Sequence, residues 1–216
     1  MVLSEIRREA RTIMQGQWGT CVPIWLIYLL ITMVPGLIFR SDSSAIIQFI
    51  VGLLVGGPLL LSISKIFLRV YRHEQVEIGQ LFEGFNEFTR SFTAYALTML
   101  YVILWSLLLI IPGIIAGLGY SMTFFIMAEN PNIQASEAMR QSKEMMMGHK
   151  GELCLLSLSF FGWMVLSIVT LGIGLLWLES YMYTSVVIFY HKIKGAPEQV
   201  MLHSSETIIK ETEALD

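Results

Sequence analysis

Glu179 is the residue of this sequence whose type and place most plainly raise a question of chemistry. It is the only charge in the 38 residues between Glu152 and His191. A carboxylate near the centre of a membrane span costs roughly 2.5 to 3.5 kcal/mol on insertion scales, so it must face other helices or water. Three readings follow: a proton or cation site, a carboxylate that hydrogen-bonds Ser or Tyr neighbours and fixes helix packing, or one that sits in a wet outer vestibule. Lys65 has the sign to pair with it but belongs near the end of its own apolar run, about two turns away in depth. Tyr120 and Tyr181, with Tyr183, Ser121, Thr123 and Thr184, occupy comparable places in two later spans. Their hydroxyls either line a polar cavity or satisfy one another and nearby carbonyls.

The remaining reactive residue types lack partners at useful spacing. Met145, Met146 and Met147 have no Cys or His cluster beside them and suit an apolar helix face. His73, His149, His191 and His203 are scattered without ligand spacing, and Cys21 and Cys154 stand far apart inside apolar runs, as buried reduced thiols do. No nucleophile elbow, phosphate-binding Gly-rich loop, HExxH motif or paired intramembrane carboxylates occur. The expectation is a protein with no metal, no cofactor and no catalytic residues.

Composition sets what must hold these residues. Of 216 residues 55 % are hydrophobic and 14 % charged, where about a quarter charged is usual for a soluble domain. A net charge of -3 gives no reason to expect nucleic acid as a partner. The stretch Ser91 to Ala128 carries no charge for 38 residues. As one straight helix it would run about 57 Å, nearly twice a ~30 Å hydrocarbon core. It must turn back, and Pro112-Gly113 is the sequence signal for where.

Taken along its length, the chain reads as one unit used three times: a surface helix, a span, a Gly- or Pro-marked turn and a returning span. The expected fold is an all-α membrane protein with six transmembrane helices as three helical hairpins, each preceded by a cytoplasmic amphipathic helix. The spans fall at about 18–39, 45–68, 91–111, 114–129, 152–170 and 172–190. The surface helices fall at about 2–15, 77–90 and 133–147, where apolar residues recur at helical spacing. Gly52 with Gly56, and Gly113 with Gly117, form GxxxG pairs on which neighbouring helices can pack closely. Residues 1–192 make one membrane domain, and 193–216, lacking apolar periodicity, are expected as a mobile cytoplasmic tail. Arg40 alone among the Lys and Arg residues lies on the side of the hairpin turns. The excess of positive charge on the other side places both termini and all three surface helices in the cytoplasm.

Several pieces of the chain resemble a bacterial family of six-span membrane proteins catalogued as domain of unknown function 975. They are GQWG at 16–19, VGGPLLL at 55–61, LFEGFNEF at 81–88, LWSLLLIIPGIIAGLGYSMTFFIMAENP at 104–131, SEAMRQSKEMMMGHK at 136–150 and SFFGWMVLSIVTLGIGLLWL at 159–178. The resemblance covers about Ser4 to Tyr190 and implies six spans in a bacterial plasma membrane. It carries no established activity. The family is also distantly similar to the membrane portion of some glycerophosphodiester phosphodiesterases, which leans toward lipid-related work. The chain departs from the family pattern after Trp177-Leu178, where Glu179-Ser180-Tyr181 stands in place of Pro-Tyr; a kinked sixth span is therefore not implied for it.

The function these readings favour is non-enzymatic binding of membrane lipid, a peptide or a membrane-protein partner, with self-association as one form of the last. Arg7, Arg8, Arg11, Arg140, Lys143 and Lys150 are the expected headgroup contacts, because basic residues on a surface helix meet anionic lipid. The alternative is a small transporter or channel with Glu179 in its path, and a lipid-modifying enzyme is third. The orientation is directly testable: an alkaline phosphatase fused after Asp216 is expected to be inactive in intact cells. An active fusion would place the C-terminus outside.

Overall fold

The computed structural model describes residues 3–38, 45–170 and 172–213, with side chains outside 34–38, 45–47, 168–169 and 196–213. The polar loop at 40–44, with Arg40, lies outside the described residues. Every described element is helical: α1 (Leu3–Met14), α2 (Trp18–Ile38), α3 (Ala45–Tyr71), a 3₁₀ run (Ile78–Glu87), α4 (Phe88–Leu108), α5 (Ile110–Tyr120), α6 (Thr123–Glu129), α7 (Ala135–Met145), α8 (Lys150–Leu158), α9 (Phe161–Val169) and α10 (Ile173–Glu213). Five helical stretches are long and apolar enough to cross a membrane. A sixth is counted if α1 and α2, bent by 99° at their junction, are taken as one broken span. Gly16, at φ +87°, makes that bend in a backbone region that costs other residues a steric clash.

Large apolar side chains cover the outside of the far end. Leu107 is 84 % exposed and Ile110 76 %, an arrangement suited to hydrocarbon and not to water. Inside, rings from four helices meet at Tyr183 of α10. Its ring centroid lies 5.0 Å from Phe67 of α3, 5.4 Å from Phe125 of α6 and 5.8 Å from Trp25 of α2. Its hydroxyl shares a 2.9 Å hydrogen bond with Ser64, so a phenol is buried without an orphaned donor.

The breaks differ in place from the sequence signals. The chain turns at Leu109, whose extended backbone (φ -159°, ψ 143°) separates α4 from α5. Pro112 and Gly113 lie inside the first turn of α5, where a proline forfeits no helix bond. Gly113 does press against Ser106 of α4, but Gly117 has only one Val102 methyl within reach. Likewise the close approach between α3 and α4 uses Gly56, against the Tyr95 ring, and Gly57, against the Ser91 carbonyl, while Gly52 meets nothing. The expected surface helix at 77–90 is a 3₁₀ run continuing into α4. Its apolar residues Phe82 and Phe85, with Phe88 at the start of α4, are three apart, the eclipsed spacing of a 3₁₀ helix. Gly84 docks on the Pro58 carbonyl of α3, and the Gly84 N–H donates to Ser62 Oγ at 2.8 Å.

Two further differences concern continuity. The expected span 114–129 is broken at Ser121-Met122, between α5 and α6. Ser142 of α7 fills the break: its hydroxyl donates to the Gly119 carbonyl at 2.8 Å and accepts from the Met122 N–H at 3.1 Å. The expected tail is helical to Glu213 as part of α10. Its Glu, Lys, Met, Leu and Ala are good helix formers, and a helix nucleated in the bundle extends without a new nucleation cost. Cys21 is buried as expected, but Cys154 is exposed on the apolar surface.

Ser142→Ala leaves two buried backbone groups at the α5–α6 break without a partner. It is expected to lower stability by about 1 to 3 kcal/mol, read as a shifted unfolding midpoint in detergent micelles. An unshifted midpoint would show that the break does not depend on that hydroxyl.

Candidate functional site

Charged side chains collect where the ends of α3, α6 and α10 meet the 3₁₀ run. Lys65 Nζ bonds Glu87 at 2.5 Å, and the Arg90 guanidinium forms an ion pair with the same carboxylate at 2.8 Å. Arg69 takes Glu83 with two bonds of 2.9 Å, the geometry in which a guanidinium holds a carboxylate most firmly. Arg90 also donates to the Met127 carbonyl at 2.7 Å and to the Asn130 and Pro131 carbonyls, closing the C-terminal end of α6. At the centre stands Glu129, whose side chain is 9 % exposed. Tyr190 donates to it at 2.7 Å, Lys194 at 2.5 Å and Arg72 at 3.0 Å, and His191, stacked on Tyr71 at 4.0 Å, lies 3.7 Å away. Most of these groups are paired with one another, so the cluster is a lock between α3, α6 and α10.

Cations without a carboxylate partner lie elsewhere. α1 buries Ile6, Ala10, Ile13 and Met14 and is held by the Tyr181 hydroxyl, which donates to the Arg7 carbonyl at 2.8 Å, and by Glu9 with Lys192 at 3.1 Å. Arg7, Arg8 and Arg11 have no ion pair among the described residues. With Ser4, Trp163 and Tyr181 they line a cavity of about 330 Å³. Arg11, Trp163 and Tyr181 also belong to a second cavity of about 330 Å³, an apolar groove that runs between α9 and α10 past Leu166, Trp177 and Leu178 to Thr170 and Gly174.

A smaller basic recess sits between α5, α7 and α8. Lys143, Lys150, Tyr120 and Trp105 line about 210 Å³ over the apolar surface of Ile115 and Ala116. The Lys150 amine lies across Gly119, 3.6 Å from where a Cβ would stand. Arg140 is different from the other expected headgroup contacts. Its guanidinium bonds both oxygens of Glu137, at 2.6 and 2.9 Å, and Glu144 at 2.7 Å, and it holds the Glu137 carboxyl down at about 2.

Residues 1–116 and 106–197 match the family described as "Protein of unknown function (DUF975)". The chain belongs to that family. No curated protein and no solved structure matches it. In this DUF975 protein the four residues read as candidates for an intramembrane polar site do not share one cavity. Glu179 lines a cavity between α2 and α10 with Trp25, Tyr28 and Tyr183. Tyr120 stacks on Tyr101 at 5.9 Å beside Lys143 and Lys150. Tyr181 is bonded to α1, and Lys65 to Glu87, because a nearby carboxylate at the charged end costs Lys65 less than reaching Glu179 across apolar wall. Of the other hydroxyls, Ser121 donates to the Leu118 carbonyl and Thr184 to the Ser180 carbonyl. Sequence reasoning missed Glu129. The signal for it was the i, i+4 spacing of Tyr190 and Lys194, which puts a donor and a cation on one face of α10.

Glu129→Gln keeps the side-chain shape and removes the charge that Arg72 and Lys194 share. Stability in micelles is expected to fall by roughly 2 kcal/mol, the scale of hydrogen bonds to a charged acceptor, whereas Glu5→Gln on exposed α1 surface should change it little. Equal stability of the two variants would remove the lock.

Proposed function

We infer that this DUF975 protein is a non-enzymatic binder of anionic phospholipid in the bacterial plasma membrane. One observation carries the reading: three unpaired guanidiniums, Arg7, Arg8 and Arg11, stand at the head of the apolar groove between α9 and α10, and the two cavities share Arg11, Trp163 and Tyr181. A phosphate at the arginines leaves an acyl chain free to follow Leu166, Trp177 and Leu178. From Tyr181 to Gly174 the groove covers about 10 Å at 1.5 Å per residue. Lys143 and Lys150 over the apolar wall at Tyr120 repeat the combination on the other side.

The reading includes an arrangement in the membrane. The helices form three hairpins, each preceded by a surface element, with both termini and the charged end in the cytoplasm, where anionic lipid and basic residues meet. The 99° bend between α1 and α2 supports it by laying α1 across the bundle axis, as does the exposed stripe of Phe82, Phe85 and Phe88. Binding is favoured over catalysis because the titratable groups that meet in the cluster around Glu129 do so as ion pairs. Membrane lipid is the partner this geometry suits, and self-association is not needed to complete either cavity.

The test is native mass spectrometry of the full chain released from mixed phosphatidylglycerol and phosphatidylcholine nanodiscs. Each surface cation contributes about 1 kcal/mol toward anionic lipid. The variant carrying Arg7→Gln, Arg8→Gln and Arg11→Gln is therefore expected to lose roughly a hundredfold in its preference for phosphatidylglycerol. Unchanged retention would overturn the assignment.

A further inference from the structure

The cavity at Glu179 is separate from the basic groove and has different chemistry. It measures about 390 Å³ and lies between α2 and α10. Its walls are Trp25, Tyr28 and Tyr183, with Thr32 and Met33 toward the mouth. The Trp25 and Tyr28 rings stand 5.2 Å apart and nearly perpendicular, at 82°, and Trp25 and Tyr183 lie 5.8 Å apart at 63°. All three residues line this cavity, and aromatic rings attract a cation. The Glu179 carboxylate has no hydrogen bond or ion pair among the described residues, and Lys65 is taken by Glu87. The buried Trp25 indole N–H also has no acceptor.

We propose that this cavity binds a lipophilic organic monocation, with Glu179 as its counter-charge and Trp25, Tyr28 and Tyr183 as its aromatic walls. An unpaired carboxylate beside apolar surface is costly, and an entering cation removes that cost. Inorganic ions suit the site poorly, because hard cations take six or more oxygen ligands and the Tyr183 hydroxyl is already bonded to Ser64. Entry is from the side: Met33 is 58 % exposed on the apolar surface, which selects a ligand that partitions into lipid.

The experiment is equilibrium binding of tritiated tetraphenylphosphonium to the full-length protein in nanodiscs, with empty nanodiscs subtracted. The wild type is expected to show one saturable site. Glu179→Gln is expected to weaken it at least tenfold. Thr32→Trp, which fills the mouth and leaves the carboxylate in place, is expected to do the same, and it decides the matter should Glu179→Gln fail to elute as a folded species. Binding no greater than to empty nanodiscs, undiminished binding by a folded Glu179→Gln, or undiminished binding by Thr32→Trp would overturn the proposal. So would displacement by millimolar sodium, which would make the site one for an inorganic ion.

Discussion

Leaving a charge or an open backbone group unpaired in hydrocarbon is costly, and most of this fold answers to that constraint. Most of the described ions at the ends of α3, α6 and α10 and in the 3₁₀ run are gathered and paired at one end, with Glu129 taking Tyr190, Arg72 and Lys194 together. Arg90 closes the carbonyls at the end of α6, and Ser142 does the same for the break between α5 and α6. The polar groups are therefore joints: each sits where a helix stops. Aromatic packing around Tyr183 then fixes how α2, α3, α6 and α10 lie against one another.

What remains unpaired is accordingly informative. Arg7, Arg8 and Arg11 project from a helix that is itself anchored by its apolar face and by Tyr181, so their lack of a carboxylate partner among the described residues is not a consequence of a loose segment. Glu179 is the opposite case, an anion among rings. The first meets an apolar groove and the second a cavity with aromatic walls. Their signs differ, and so do the ligands proposed for them.

The spans were legible in the sequence because apolar runs without charge admit few other structures, as at Ser91 to Ala128. Where the helices break was less so. Pro112-Gly113 reads as a turn, yet a proline in a first helical turn is as well placed, and the backbone leaves the helix at Leu109 instead. The break at Ser121-Met122 has no local signal at all, since the group that satisfies it arrives from Ser142, twenty residues on. The pairing of Arg140 with Glu137 and Glu144 was readable from spacing alone. Which unpaired charges face a cavity was not, because that depends on the contact of α1 with α10 and of α2 with α10.

The account stands on α1, the 3₁₀ run and α7 lying together at one membrane interface. Nitroxide depth measurement at Arg8, Phe82 and Met147, one label at a time in phospholipid nanodiscs, tests this most directly. The three labels are predicted to report a common depth at the headgroup level of one leaflet. A label at the bilayer centre, or one of the three at the opposite face, would contradict it.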